Sequence, residues 1–212
     1  MSQPAASCPN CGAAVRFRWS SSVQTVCEYC RSILVRTDVD LQKVGTVADL
    51  PRDGSPIQIG TEGRFRHLSF VTIGRILYEY DQGTWNEWHL SMSDGSDGWL
   101  SDAQFEYAVT FAAPGRQVPA AGTAKVNQRY EWDGVQYTVT TITDARYRGI
   151  QGELPFQTWD KESALFVDLR SAAAKCATLD YSDADPVLYL GEIVDGEALQ
   201  LTNLRSFEGW PS

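Results

Sequence analysis

The sequence predicts an all-β protein: an N-terminal zinc ribbon followed by an antiparallel β sandwich or barrel body. Three observations predict it. Two C-x2-C knuckles stand close together near the N-terminus. The chain holds 7 Trp, 9 Tyr and 8 Phe in 212 residues, and flat rings suit pleated, half-buried surfaces. Beyond residue 57, short apolar runs alternate with turn residues in the rhythm of a sandwich or barrel.

The knuckles come first. Cys8-Pro9-Asn10-Cys11 and Cys27-Glu28-Tyr29-Cys30 have the spacing of a four-cysteine zinc site. Each is a tight turn that aims two sulfurs at one point, and two such turns close a tetrahedron around one structural Zn2+. A catalytic zinc needs an open position, which four cysteines remove. A redox dithiol would sit on a βαβ scaffold that is missing here, and disulfides are not expected without a secretory signal. Gly12 and Arg31-Ser32 suit amides that turn back toward the thiolates. Between the knuckles, Val15-Arg16-Phe17-Arg18-Trp19 alternates as a strand would, and Ser20 to Ser22 turn. Val23, Thr25 and Ile33 to Val35 supply further strands. Cys176, set among alanines, reads as a small buried hydrophobe.

Residues 1–37 thus form the ribbon, and 38–58 read as a connector punctuated by Pro51, Gly54 and Pro56, with Leu41 to Val44 as a turn of helix. A first β unit is expected over 59–115. Phe70 to Tyr80 makes one long strand or two pieces bent at Gly74. Trp85 to Met92 keeps period two, with Trp88, Leu90 and Met92 on one face and Glu87, His89 and Ser91 on the other. Asp94-Gly95 is a hairpin signal, and Trp99-Leu100 and Tyr107 to Phe111 follow. A second β unit is expected over 116–212: a hairpin around Asp133-Gly134, then strands at 149–156, 165–169, 177–181 and 187–192. Aromatic strand, Asp-Gly turn and threonine-laden strand recur in both units, the mark of a weak internal duplication. Pro155 in Gly152-Glu153-Leu154-Pro155 demands an edge strand, where Glu153 would pin a turn or face a partner.

Charge and motif content narrow the function. A net charge of -9 opposes general nucleic-acid binding, which needs clustered Lys and Arg. The ribbon carries Arg16, Arg18, Arg31 and Arg36 against Glu28 alone, but four zinc-bound thiolates would bring it close to neutral. No apolar run is long enough to span a bilayer and no leader pattern is visible, so a cytoplasmic protein without direct membrane insertion is expected. Phosphate-binding glycine loops, GxSxG and HExxH are all missing. Two readings of the aromatic block compete. Glu87 and His89, with Asp94 nearby, could share a proton or a metal in a hydrolase or small-molecule enzyme. The plainer reading makes Glu87 and His89 a solvated face and Trp85, Trp88 and Trp99 core; those rings could alternatively stack on a carbohydrate or nucleotide. No assembled catalytic site is legible, so the chain reads as non-enzymatic.

The strings LQKVGTVADLPRDGSPIQIGTEGRF, GRILYEYDQGTWNEWHLSMSDGSDGWLSDAQ, GELPF, LFVDLRS, TLDYSD and YLGE resemble, over essentially the whole chain, a bacterial family classed as a domain of unknown function. Its members are typically preceded by a four-cysteine zinc ribbon. The resemblance implies no activity, substrate or catalytic residue. It implies a context among membrane-stress proteins of the phage-shock type, small membrane proteins and polyamine-synthesis-like enzymes. Together with the residues, it leads to a non-enzymatic zinc-ribbon binding or scaffold protein with one or more protein partners in a membrane-stress assembly.

Overall fold

The computed structural model describes residues 6–20, 22–37, 41–46, 54–103, 106–157 and 163–206. Within them the apolar alternation and Asp-Gly turns produce an all-β architecture. The ribbon holds β1 (Ala6–Ser7), β2 (Ala14–Val15), β3 (Gln24–Val26) and β4 (Ser32–Arg36), and continues into β5 (Leu41–Thr46). The body follows with β6 (Glu62–Phe65), β7 (Leu68–Tyr80), β8 (Gly83–Met92), β9 (Asp97–Ala103) and β10 (Glu106–Ala112). Then come β11 (Arg129–Trp132), β12 (Val135–Leu154), β13 (Ser163–Arg170), β14 (Lys175–Asp180), β15 (Val187–Val194) and a 3-10 turn at Glu197–Leu199.

Pairing turns the body into a closed ring. The sheet runs β12-β13-β14-β15-β10-β9-β8-β7, and β7 pairs back onto β12. Closure removes the exposed strand edges that invite aggregation. Residues 59–115 contribute a short hairpin strand and then a four-strand meander, β7 to β10; residues 116–212 do the same with β11 and then β12 to β15. First strand meets first strand at the β7–β12 seam, and last meets last at the β10–β15 seam.

Each seam is pinched by glycine. Gly74 faces Gly152 across the first; a Cβ on Gly74 would lie 1.9 Å from the Glu153 carbonyl oxygen. Gly152 also has φ +64, where a side chain is strained. At the second seam, a Cβ on Gly191 would meet the Val109 carbonyl at 1.9 Å.

The ring has two covered faces. Outside β7 to β10, Trp88, Leu90, Leu100 and Val109 pack under Ile57, Phe65 and Leu199. Outside β12 to β15, Val139, Val167, Leu169 and Leu179 pack under Trp132 and Tyr137. The inside holds Ile76, Tyr78, Trp99, Ala145 and Phe166. The Trp88, Leu90, Met92 face lies in the core as expected. On the opposite face of β8, expected to be solvated, Glu87 instead points into the ring and His89 is fully buried.

Other local expectations change too. Leu41 to Val44 is strand rather than helix, because it pairs with β4. Phe70 to Tyr80 is one strand, kinked by a bulge between Thr72 and Gly74. The strands expected on either side of residues 143–148 are one 20-residue strand, β12, which bulges at Val139/Thr141 and Tyr147/Gly149. Pro155 lies just past its end, so no ladder bond is lost and no edge position is required. Among the described residues, no helix is long and apolar enough to cross a membrane.

The seam glycines give a stability test. Gly74→Ala and Gly191→Ala should each lower the unfolding free energy by about 1–3 kcal/mol or more in urea titration, as overpacking does. Gly54→Ala, with open space around its Cβ position, should stay within about 0.5 kcal/mol of the parent chain.

Candidate functional site

The cysteine cluster is built by two matching turns. The Gly12 amide donates to the Cys8 carbonyl at 2.8 Å, and the Arg31 amide to the Cys27 carbonyl at 2.9 Å. Gly12 and Arg31 both take positive φ, 75 and 60, which lets each chain segment double back under its sulfurs. The turns place Cys8, Cys11, Cys27 and Cys30 with all four sulfurs within 4.8 Å of one another, an arrangement that could hold a metal ion. Cys8 and Cys30 are 3.7 Å apart and Cys11 and Cys27 3.8 Å, too far for disulfides. The Ser32 hydroxyl, 3.2 Å from Cys30 Sγ, leads the contacts that hold that thiol down at about 5, followed by Asn10. Four thiols this close titrate as a unit. Cys176 lies elsewhere, buried, with its thiol pushed up to about 11 by desolvation.

One carboxylate ties this cluster to the ring. Glu153 is 4% exposed and accepts hydrogen bonds from the Arg18 amide at 2.6 Å, the Trp19 amide at 3.1 Å and the Ser22 hydroxyl at 2.6 Å. These bonds draw Arg18 and Trp19 out of the strand expected over 15–19, which ends at Val15. Next to it, β3 adds to the end of β12, pairing Thr25 with Glu153 and Gln24 with Leu154. Of the two roles open to Glu153, it takes the first: it pins a turn.

The aromatic block sorts into three places. Trp88 is core, with the Arg75 guanidinium 4.9 Å from its ring centre. Trp85 and Trp99 line a cavity inside the ring. His89 sits at its ribbon end, where Nδ1 donates to the Glu153 carbonyl at 3.0 Å and Nε2 faces Asp97 Oδ2 at 3.2 Å. Trp19 meets its ring edge-on, with centroids 5.1 Å apart, and Trp99 lies tilted against it, with centroids 5.0 Å apart. Glu87 points into the cavity and accepts from Trp85 Nε1 at 3.0 Å and from the Ser101 hydroxyl. Asp94 is exposed in the β8–β9 turn, bound to Ser96. Glu87 and His89 share a face as spacing predicted, but Glu87 Oε1 is taken by Trp85 and Ser101 and both His89 nitrogens have other partners, and Asp94 joins neither.

The cavity measures about 750 Å3. Besides Trp85, Glu87 and Trp99 it is lined by Tyr78, Phe166, Asp168, Thr178, Asp180 and Tyr189. Burial pushes Glu87 up to about 7, with the charges of Asp168 and Asp180 adding to the effect and Ser101 and Trp85 opposing it. Burial likewise raises Asp168, against a 2.8 Å hydrogen bond from the Thr178 hydroxyl. Sequence reading missed Phe166, Asp168, Thr178 and Asp180. Their signal was present: Phe166-x-Asp168 and Thr178-x-Asp180 interleave with the buried Val167, Leu169 and Leu179, so both faces of these strands are covered.

Because Glu87 binds its proton more tightly folded than unfolded, folding favours the protonated form. Stability should fall as pH rises from about 4.5, the ordinary value, to about 7 and stay lower above that. Glu87→Gln should flatten this part of the profile and be the more stable chain at pH 8, as read by urea midpoints between pH 4.5 and 8. Equal slopes for the two chains would show that Glu87 is not the group responsible.

No curated protein and no solved structure gives a significant match to the chain. A family model described as Domain of unknown function (DUF4178) matches residues 58–196. That span contains every strand of the closed ring and leaves out the cysteine ribbon. Covering well over half of the sequence, the match shows that the chain belongs to the DUF4178 family of domains of unknown function.

Proposed function

We propose that this chain is a non-enzymatic binding protein: a β-barrel that takes a small-molecule ligand into its interior, closed at one end by a ribbon holding one structural Zn2+. The observation that carries the reading is the cavity of about 750 Å3 inside the ring, lined by Tyr78, Trp85, Trp99, Phe166 and Tyr189. Its size falls in the range of ligand pockets, and the aromatic rings share the lining with polar and acidic side chains. The enzyme alternative built on Glu87, His89 and Asp94 has no such support, since those side chains do not converge and both His89 nitrogens are engaged.

The sulfur geometry supports zinc. Zn–S bonds of about 2.3 Å in a tetrahedron imply sulfur separations of about 3.8 Å; here Cys8–Cys30 and Cys11–Cys27 are 3.7 and 3.8 Å apart, and all four sulfurs lie within 4.8 Å of one another. Four thiolates complete the coordination, so the metal would supply fold stability to the ribbon. Cys8, Cys11, Cys27 and Cys30 would be its ligands.

A second reading, docking of a protein partner on the ribbon, is favoured by Tyr29, which stands 77% exposed on the second knuckle. The membrane-stress assembly implied by the family resemblance belongs to this reading. Tyr29→Ala should then weaken partner recovery from native lysate while leaving metal content unchanged; undiminished recovery would remove Tyr29 from that role.

For the principal reading, elemental analysis should find one zinc per chain. Cys27→Ser should lose it and unfold the ribbon, while the barrel keeps most of its far-UV signal. The uncharged dye Nile red should bind saturably at one site with a blue-shifted emission. A metal-free chain with an ordered ribbon would refute the zinc assignment, and failure of the dye to saturate would refute the barrel as a binding body.

A further inference from the structure

The cavity carries more information than its volume. Tyr78 and Trp85 lie nearly parallel, centroids 4.9 Å apart and planes at 22°. Phe166 stands almost perpendicular to both, at 78° and 81°. The three rings make an angled aromatic wall, and Tyr189 and Trp99 add to the lining.

The charged groups beside that wall are, with one exception, acidic. Asp81, Glu87, Glu106, Asp144, Asp168 and Asp180 all line the cavity. Among the described lining residues Arg170 is the one cationic side chain, and it is paired with Glu106. Glu87 and Asp168 are held by neutral donors, the Trp85 indole with the Ser101 hydroxyl, and the Thr178 hydroxyl. Arg170 lies near enough to Asp168 to offset part of its charge, but Glu87, enclosed with neutral donors and repelled by Asp168 and Asp180, has no such help, which burial makes costly.

An entrance is also defined. β12 pairs with β7 only from Arg146 onward, while residues 138 to 146 pair with β13 on the other side. Thr141, Ile142 and Asp144 on that stretch, and Asp81 and Gln82 on the β7–β8 turn, are exposed and line the cavity. The ring therefore opens at this seam, and Asp81 and Asp144 make the opening acidic. The ribbon covers the other end, where Ile33 packs with Ile150 and Leu154.

We propose that the barrel interior is a binding site for an organic cation, an amine or quaternary ammonium with an aromatic or branched aliphatic body. The body would lie against Tyr78, Trp85 and Phe166, whose ring faces attract cations, and the charge would be met by Glu87 and Asp168. This rests on the reading of the barrel as a binding body and names the class of its ligand. Acid at the entrance would raise the local concentration of cations and exclude anions.

The test uses the full-length protein with three probes of similar body: benzyltrimethylammonium, neutral benzyl alcohol and anionic benzenesulfonate. Ring currents should move the trimethylammonium proton resonances upfield in a saturable titration of the unmodified chain. Benzyltrimethylammonium should bind at least about tenfold more tightly than either comparison probe. Glu87→Gln with Asp168→Asn should reduce its affinity by about tenfold or more, with Nile red uptake retained as the check that the barrel is intact. The three-probe comparison needs no variant, so it decides the matter even where the double variant fails to fold. Equal or tighter binding of benzenesulfonate or benzyl alcohol, no upfield shift, or an unweakened folded double variant would each overturn the proposal. Nile red binding without cation preference would leave the barrel reading standing and remove only the ligand class; loss of both would remove both.

Discussion

A buried carboxylate holds the two parts of this protein together. Stripped of partners, the charge of Glu153 would cost several kcal/mol to enclose, of the order assigned to a desolvated ion. Two backbone amides and a hydroxyl meet it, all from residues 18–22 of the ribbon. Barrel and ribbon therefore stabilise one another: the ribbon turn solvates a charge the barrel has buried, and the barrel supplies the acceptor that the turn's amides need. The backbone carbonyl of the same residue receives the His89 proton donor, and its approach to Gly74 leaves no room for a Cβ. Three structural relationships, ribbon to barrel, β7 to β12 and His89 to both, pass through one position.

From that junction the rest of the architecture follows. With the β12 end fixed to β3, the cysteine turns are carried at the base of the ring and Trp19 is seated against His89. The base is closed by packing around Ile33, Ile150 and Leu154, and the opening is left to the opposite stretch of β12, where pairing to β7 has not begun. On the proposed reading, a hollow ring with one covered end and one acidic opening would serve as a container, and its aromatic and carboxyl lining would give that container a chemical preference.

Much of this was legible in the sequence. The cysteine spacing needed only the geometry of a tight turn, and the knuckles assemble as read. Period two separates the faces of a strand and so puts Trp88, Leu90 and Met92 in the core. The error lay on the other face. Alternation of apolar with polar residues ordinarily marks water on the polar side, and Glu87 with His89 fits that rule locally. Ring closure is a long-range fact, set by seams at Gly74/Gly152 and Gly191 between residues distant in the chain, and it turned the polar face inward. The same blindness hid Asp168, Thr178 and Asp180. Asp144, Arg146 and Arg148 interrupt the apolar residues of β12 and make it read as two strands, although Ala145 and Tyr147 between them keep the alternation. The role of Glu153 was half legible: an acid beside glycine and proline suggested a pinned turn, but the turn it pins lies more than 130 residues away.

Amide hydrogen exchange on Glu153→Ala tests the junction most directly. The account predicts a selective loss of protection in residues 17–26, with β13 to β15 exchanging as slowly as in the parent chain. Protection of 17–26 that is unchanged by the substitution would contradict it, because the ribbon would then be held against the barrel by something other than this carboxylate.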